Sequence, residues 1–166
     1  MVECLVVMAL IAICAGLALP AWRDALRAQQ VRAAGEALED GLRQARLHAL
    51  RRGSFVRMCP GGEAGDCRRA GRWEQGWVLL GEPVAGSGEA PVLGVGPAWP
   101  GVRIDGDAAL AQGAGFDAGG WPRRPGGALL MGRWRVCPQG GGAGREFVMS
   151  AAGRLRSAAV DCPPPH

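Results

Sequence analysis

The feature that most constrains this chain is an uncharged segment near its N-terminus. Residues 4–22 are 19 consecutive positions without a charge, and Arg23 ends the run. A helix crosses the hydrocarbon core of a bilayer with about 20 residues. A cleaved signal peptide fits poorly, because no basic residue precedes the run and Glu3 stands before it. A buried core helix with no polar face would need a large core around it. We therefore expect residues 1–22 to form a transmembrane segment.

The helix is predicted to continue beyond this segment. Residues 21–53 contain no proline and are rich in residues that favour helices. Gly53 is a suitable C-cap, and Pro20, inside the predicted helix, is expected to kink or loosen it. One face of the continuation is apolar, with residues recurring at steps of mostly three or four: Trp22, Leu26, Val31, Ala34, Leu38, Leu42, Ala45 and Ala49. We expect residues 23–52 to be an amphipathic extension of the same helix.

After Gly53 the pattern changes to short apolar runs separated by Gly- and Pro-rich turns, which predicts short β-strands. The runs are residues 54–58, 76–80, 91–95, 102–104, 128–131, 134–136 and 146–149. The glycine-rich residues 140–144 lack the Lys-Ser/Thr of a phosphate-binding loop and are predicted to connect two strands. We expect residues 53–166 to form an all-β domain, a sandwich or a meander. The fold class is therefore α+β: a long N-terminal helix followed by short antiparallel strands.

Four cysteines fall in the β region: Cys59, Cys67, Cys137 and Cys162. They allow three pairings. A zinc site needs close pairs of ligands, whereas seven residues separate the first two cysteines and 24 the last two, with no histidine nearby. We expect no metal. If the domain is exported, an oxidising compartment favours disulfides. Local pairing, Cys59–Cys67 and Cys137–Cys162, is the pairing we favour, and the second bridge would tie the C-terminal tail to the last strands.

The composition argues against catalysis. The 166 residues include only two histidines, His48 and the terminal His166. None of the four serines lies in a Gly-x-Ser-x-Gly setting. The thiols are better explained as disulfides. We expect no catalytic residue and no cofactor.

The positive charge is concentrated in two parts of the chain, residues 23–52, with a net +3, and the C-terminal end. All 19 basic residues are Arg, which a GC-rich coding bias explains, so the excess of Arg alone does not indicate nucleic-acid binding. Residues 133–166 nevertheless carry a net +3. The candidate DNA-binding residues are the five arginines of this segment: Arg133, Arg135, Arg145, Arg154 and Arg156. On a strand, Arg154 and Arg156 would project from one face about 7 Å apart, which suits adjacent phosphates and sequence-independent binding. The alternative is an edge strand protected from aggregation by charge.

The residues around the apolar run form a recognisable motif. Residues 2–7 read Val-Glu-Cys-Leu-Val-Val, and Pro20 follows Glu3 by seventeen positions. This motif resembles the N-terminus of type IV pilins and type II secretion pseudopilins. The resemblance implies that Glu3 neutralises the N-terminal amine of a neighbouring subunit during assembly, and that prepilin peptidase processes the full-length precursor. Cys4 replaces the usual Leu, and the Gly-Phe-Thr expected before Met1 is absent. We expect the true start of the protein to lie upstream.

Further motifs in the β region narrow the resemblance to the GspH/FimT group of minor pilins. They are residues 56–59 (Val-Arg-Met-Cys), 72–79 (Arg-Trp-Glu-Gln-Gly-Trp-Val-Leu), 115–117, 134–137 and the Gly-Arg-Leu-Arg at 153–156. Residues 84–114 match no part of that pattern. In this group, the Gly-Arg-x-Arg motif marks a branch linked to DNA uptake.

The resemblance implies a non-enzymatic minor pilin, anchored in the inner membrane by one span, with its β domain in the periplasm. Its partners would be other pilin subunits, through the helix, and double-stranded DNA, through Arg154 and Arg156. A GspH-like minor pseudopilin of the type II secretion system is the alternative. A membrane-anchored adhesin outside any fibre is a third class, which a pull-down with the major pilin would separate from the first two.

Overall fold

The computed structural model describes residues 2–61, 67, 72–83 and 88–164. It begins with one helix, α1 (Val2–Arg52), which includes the backbone of both Glu3 and Pro20. The side chains of residues 1–6, 9–15 and 17–20 lie outside the described part, so the assembly roles expected for Glu3 and Pro20 have no described side-chain geometry. No helix in the described part of the chain combines the length and hydrophobicity needed to cross a membrane.

Nine short strands follow the helix. They are β1 (Val56–Pro60), β2 (Trp77–Gly81), β3 (Val92–Gly96), β4 (Val102–Gly106), β5 (Ala114–Phe116), β6 (Pro122–Arg123), β7 (Gly132–Pro138), β8 (Gly142–Met149) and β9 (Leu155–Cys162). Two single-turn 3-10 helices, Trp73–Gln75 and Ala108–Leu110, lie between them. The predicted fold class, a long helix followed by short antiparallel strands, is confirmed.

The strands form two antiparallel sheets. The first has the order β3-β2-β1-β5-β6, and the second has the order β4-β7-β8-β9. The last three strands of the second sheet are consecutive in sequence and form a meander. The chain makes three strands of the first sheet, leaves it to make β4, and returns to it for β5 and β6. Both sheets are therefore built from segments that alternate along the sequence.

One hydrophobic core joins α1 to both sheets. Phe116 and Met58 from the first sheet and Trp134 and Phe147 from the second belong to it. The predicted apolar face of the helix contributes Val31, Ala34, Leu38, Leu42, Ala45 and Ala49, all buried. Trp22 and Leu26, at the N-terminal end of that face, are 66% and 44% exposed. The helix is thus covered by the sheets only from about Val31 onward.

Several predicted strand boundaries differ from the structure. The expected strand at residues 128–131 is wrong, because only Leu129 makes a single bridge, to Arg123. The strand predicted at 54–58 is instead β1, which starts at Val56 and ends at Pro60. The expected connection at 140–144 is shorter: β7 ends at Pro138 and β8 already begins at Gly142.

Candidate nucleic-acid interface

The candidate interface is the face of the second sheet that points away from the core. Side chains alternate between the two faces of a strand. On β7, Trp134 and Val136 are buried in the core, so Arg133 and Arg135 project from the opposite, outer face. On β8, Phe147 and Met149 are buried, which places Glu146 on the outer face.

The β8–β9 turn positions the Gly-Arg-x-Arg motif. The backbone N–H of Ser150 donates to the carbonyl oxygen of Arg154 over 3.0 Å, and the N–H of Arg154 donates to Oγ of Ser150 over 3.2 Å. Gly153 adopts a φ of 75°, a left-handed conformation that favours glycine. Leu155 packs against the core, so Arg154 and Arg156 on either side of it project outward. Arg154 precedes the strand rather than lying in it, because β9 begins at Leu155.

The pairing of β7, β8 and β9 places two of the candidate arginines in one line across the sheet and a third opposite a glutamate. Arg133 lies opposite Val148, and Val148 lies opposite Arg156. In the neighbouring row, Arg135 lies opposite Glu146. Oε1 of Glu146 is 3.2 Å from Nη2 of Arg135 and 3.6 Å from Nε of Arg133. One carboxylate thus partly offsets two guanidinium groups.

Arg145 does not belong to this face. It shares the core-facing side of β8 with Phe147, and its guanidinium carbon lies 5.8 Å from the centroid of that ring. Its Nη2 donates to Oγ of Ser157 over 3.0 Å. Alternation along β8 accounts for the position, because Arg145 and Phe147 are two residues apart. Of the five candidate arginines, the structure therefore brings four to the outer face.

Arg154 and Arg156 carry the positive charge of this surface that no described acidic residue offsets. Both are exposed, and neither forms an ion pair with another described residue. A further arginine on the outer face, Arg103 of β4, was not identified from the sequence, and its Nε lies 2.8 Å from Oδ2 of Asp105. Its charge is therefore paired locally, and the unpaired positive charge lies at the β9 edge of the sheet.

Two disulfides flank the sheets. Cys59 on β1 is bonded to Cys67, with their Cα atoms 5.5 Å apart. Cys137 at the end of β7 is bonded to Cys162 at the end of β9, with a Cα separation of 5.8 Å. The second bridge spans β8 and fastens the strand that carries Arg156. Among the described residues, no group of three or more His, Cys, Asp or Glu side chains is arranged to hold a metal ion.

Comparison with solved structures gives two matches to one protein. The type IV minor pilin FimU of Pseudomonas aeruginosa, in one crystal form, matches with a TM-score of 0.59 and 21% identity over 77% of this chain and 87% of FimU. A second crystal form matches with a TM-score of 0.58 and 21% identity, covering 76% and 91% of the two chains. At this identity the likeness shows a shared fold. None of the curated proteins matches this chain.

The sequence itself matches a family model. Residues 34–153 fit the model described as type II transport protein GspH. The match begins within the buried half of α1 and ends at Gly153, so it spans both sheets up to the β8–β9 turn. Because it covers most of the chain, the protein belongs to the GspH family.

Proposed function

We propose that this protein is a minor subunit of a type IV pilus-type fibre that binds double-stranded DNA through Arg154 and Arg156. The single observation that carries the DNA proposal is the pair of exposed arginines, which form no ion pair among the described residues, beside a turn held by two hydrogen bonds. Arginine forms bidentate hydrogen bonds to phosphate oxygens, so two such groups can hold a DNA backbone without reading bases.

The apolar N-terminal segment supports the rest of the proposal. Residues 1–22 anchor the protein in the inner membrane after prepilin peptidase has processed the precursor, and the β domain lies in the periplasm. In the fibre, the exposed part of α1 before Val31 packs against the helices of other pilin subunits. The exposure of Trp22 and Leu26 is consistent with such a contact.

A role in the type II secretion pseudopilus is the second candidate. The family model is described as a type II transport protein, and the fold serves either machine. Under this alternative, the arginines of the outer face are a solvated surface, and the protein has no affinity for DNA.

The test is a DNA-binding titration with the full chain purified in detergent. Arg154→Ala with Arg156→Ala is expected to weaken duplex binding and to flatten the slope of log affinity against log salt by about two units. Affinity should be the same for duplexes of different sequence, because phosphate contacts carry no sequence information. The matched control is Arg23→Ala with Arg27→Ala, an equal charge change on the exposed part of α1.

Two results would contradict the proposal. Equal losses in both double variants would assign the binding to overall charge rather than to the motif. A wild-type chain that fails to bind duplex DNA at low salt would favour the secretion pseudopilin instead.

A further inference from the structure

The outer face of the second sheet carries acidic residues among its arginines. Asp105 on β4 lies opposite Arg135 on β7, and Arg135 in turn lies opposite Glu146 on β8. These three residues form one line across the sheet, in which an acid lies on each side of the arginine. Asp105 is also paired with Arg103 of its own strand. The positive charge of β4 and of the centre of the sheet is therefore largely offset within the protein.

A third acid lies beside Arg133, the other arginine of β7. Oδ2 of Asp107 accepts a hydrogen bond from the backbone N–H of Arg133 over 3.0 Å, and no described residue forms an ion pair with Asp107. Asp107 also lines one cleft with Asp105 and with both arginines of β7. Unpaired negative charge therefore lies at the β4 side of the face, whereas the unpaired positive charge of Arg154 and Arg156 lies at the β9 edge.

Glu146 lies at the centre of this face, between its acidic and basic sides. Its side chain is only 20% exposed, whereas those of Arg133 and Arg135 are 54% and 41% exposed. The same oxygen, Oε1, is within 3.6 Å of both guanidinium groups. Salt and water screen a partly buried ion pair less than an exposed one. Both arginines are therefore held by this carboxylate, although a phosphate could reach either of them from solvent.

From this arrangement we infer that Glu146 confines duplex DNA to the β9 edge of the sheet. While Glu146 is ionised, its carboxylate holds Arg133 and Arg135. Phosphates are then bound by Arg154 and Arg156 alone. Without that carboxylate, two more guanidinium groups would face the duplex. The inference rests on the proposed function, since it adds a determinant to the same DNA contact.

The distances across the sheet allow one duplex to reach both pairs of arginines. Arg133 and Arg156 are in one line with Val148 between them, so their Cα atoms are two strand spacings apart, about 10 Å. This is less than the width of the major groove, about 12 Å. Two phosphate contacts give a salt slope of about two units on duplex DNA, and four contacts a slope of nearly four. The charge of Glu146 therefore sets both the affinity and its salt dependence.

The test is a titration of Glu146→Gln with a mixed-sequence duplex, using the full chain in detergent. Glutamine keeps the shape of the side chain and removes its charge. We expect tighter binding at low salt and a salt slope that is steeper by about two units. The gain in affinity over the wild type should therefore shrink roughly tenfold between about 50 and 200 mM salt.

Further variants show whether the gain comes from the released arginines. Glu36→Gln removes an equal charge from an exposed position of α1 and should leave the slope unchanged. Adding Arg133→Ala and Arg135→Ala to Glu146→Gln should return the slope to the wild-type value. Thermal unfolding checks that each variant is folded, and Glu146→Ala, with the same expected slope, replaces Glu146→Gln if that variant does not fold.

The remaining outcomes overturn the inference, and they separate it from the proposed function. If Glu146→Gln has the wild-type slope, Glu146 does not confine the duplex, although wild-type binding that depends on Arg154 and Arg156 still supports the proposed function. If Glu36→Gln steepens the slope as much, net charge rather than Glu146 is responsible. If the steeper slope persists without Arg133 and Arg135, those arginines make no contact with the duplex. If the wild type binds no duplex at low salt, the proposed function and the inference fail together.

Discussion

At the scale of single residues, two glycines set how closely α1 approaches the sheets. A methyl group on Gly35 would lie 2.5 Å from Cζ of Phe147, and one on Gly41 would lie 2.6 Å from Nε1 of Trp77. Glycine inside a helix costs about 1 kcal/mol relative to alanine. Here that cost is offset by packing, because the aromatic rings fill the space that a Cβ would occupy.

We predict that Gly35→Ala lowers the free energy of unfolding in spite of its better helix propensity. Overpacking a core costs typically 1–3 kcal/mol. The two approaches of 2.5 and 2.8 Å to Phe147 favour the upper part of that range, so the net loss should be about 1–2 kcal/mol after a helix gain of about 1 kcal/mol. Denaturant unfolding of the full chain in detergent measures it. Gly16→Ala is the control, since a methyl group at Gly16 meets no atom of the described residues within 4 Å. Equal stability of the two variants would contradict the packing argument.

The individual site residues could be predicted only in part. The motif at 153–156 singled out Arg154 and Arg156 because it is contiguous in sequence. Arg145 was grouped with them because it is close to them in sequence. The sequence alone does not show which residues of β8 face the core and which face outward. Arg103 was missed because it joins the outer face only through the pairing of β4 with β7, which the sequence does not reveal. The DNA-binding role of all these residues stays a prediction.

At the scale of elements, the strands that could be predicted are those that contain an apolar run in the sequence. β2, for example, is buried at all five positions. β5 and β6 have only three and two residues, too few to show a period. β9 was missed as a full strand because five of its eight residues are exposed, so its sequence does not alternate clearly. It is held by its pairing with β8 and by the bridge at its end rather than by buried side chains.

The two bridges should contribute unequally to stability. Cys137–Cys162 closes a sequence separation of 25 and Cys59–Cys67 one of 8. In the chain-entropy model these loops are worth about 3.5 and about 2.5 kcal/mol. We predict that Cys137→Ser with Cys162→Ser destabilises the protein by about 1 kcal/mol more than Cys59→Ser with Cys67→Ser, as measured by denaturant unfolding. Two equal losses, or a larger loss for the shorter loop, would contradict this. Mass spectrometry without reductant should find four bonded cysteines in the wild type.

At the scale of the whole molecule, the second sheet has two sides of different chemical character. The inner side of the second sheet packs on α1, and its outer side carries the arginines of β7 and β9 together with Glu146. A helix engaged with neighbouring subunits would therefore leave the basic face open. If the protein assembles and binds DNA as proposed, this separation would allow both to occur in the same subunit without competing for one surface.

The strands of the two sheets alternate along the chain, and this affects how the protein unfolds. Neither sheet corresponds to a continuous stretch of chain, since β4 of the second sheet is made between β3 and β5 of the first. Losing one sheet would pull the connections of the other out of place and would expose the shared core. We therefore predict one cooperative melting transition for the β domain. Calorimetric and van't Hoff enthalpies should agree, and two resolved heat-absorption peaks would show that the sheets melt independently. If this holds, the protein has no half-folded form in which one sheet survives the other, and mechanical pulling on a fibre that contained it would unfold the β domain in a single step.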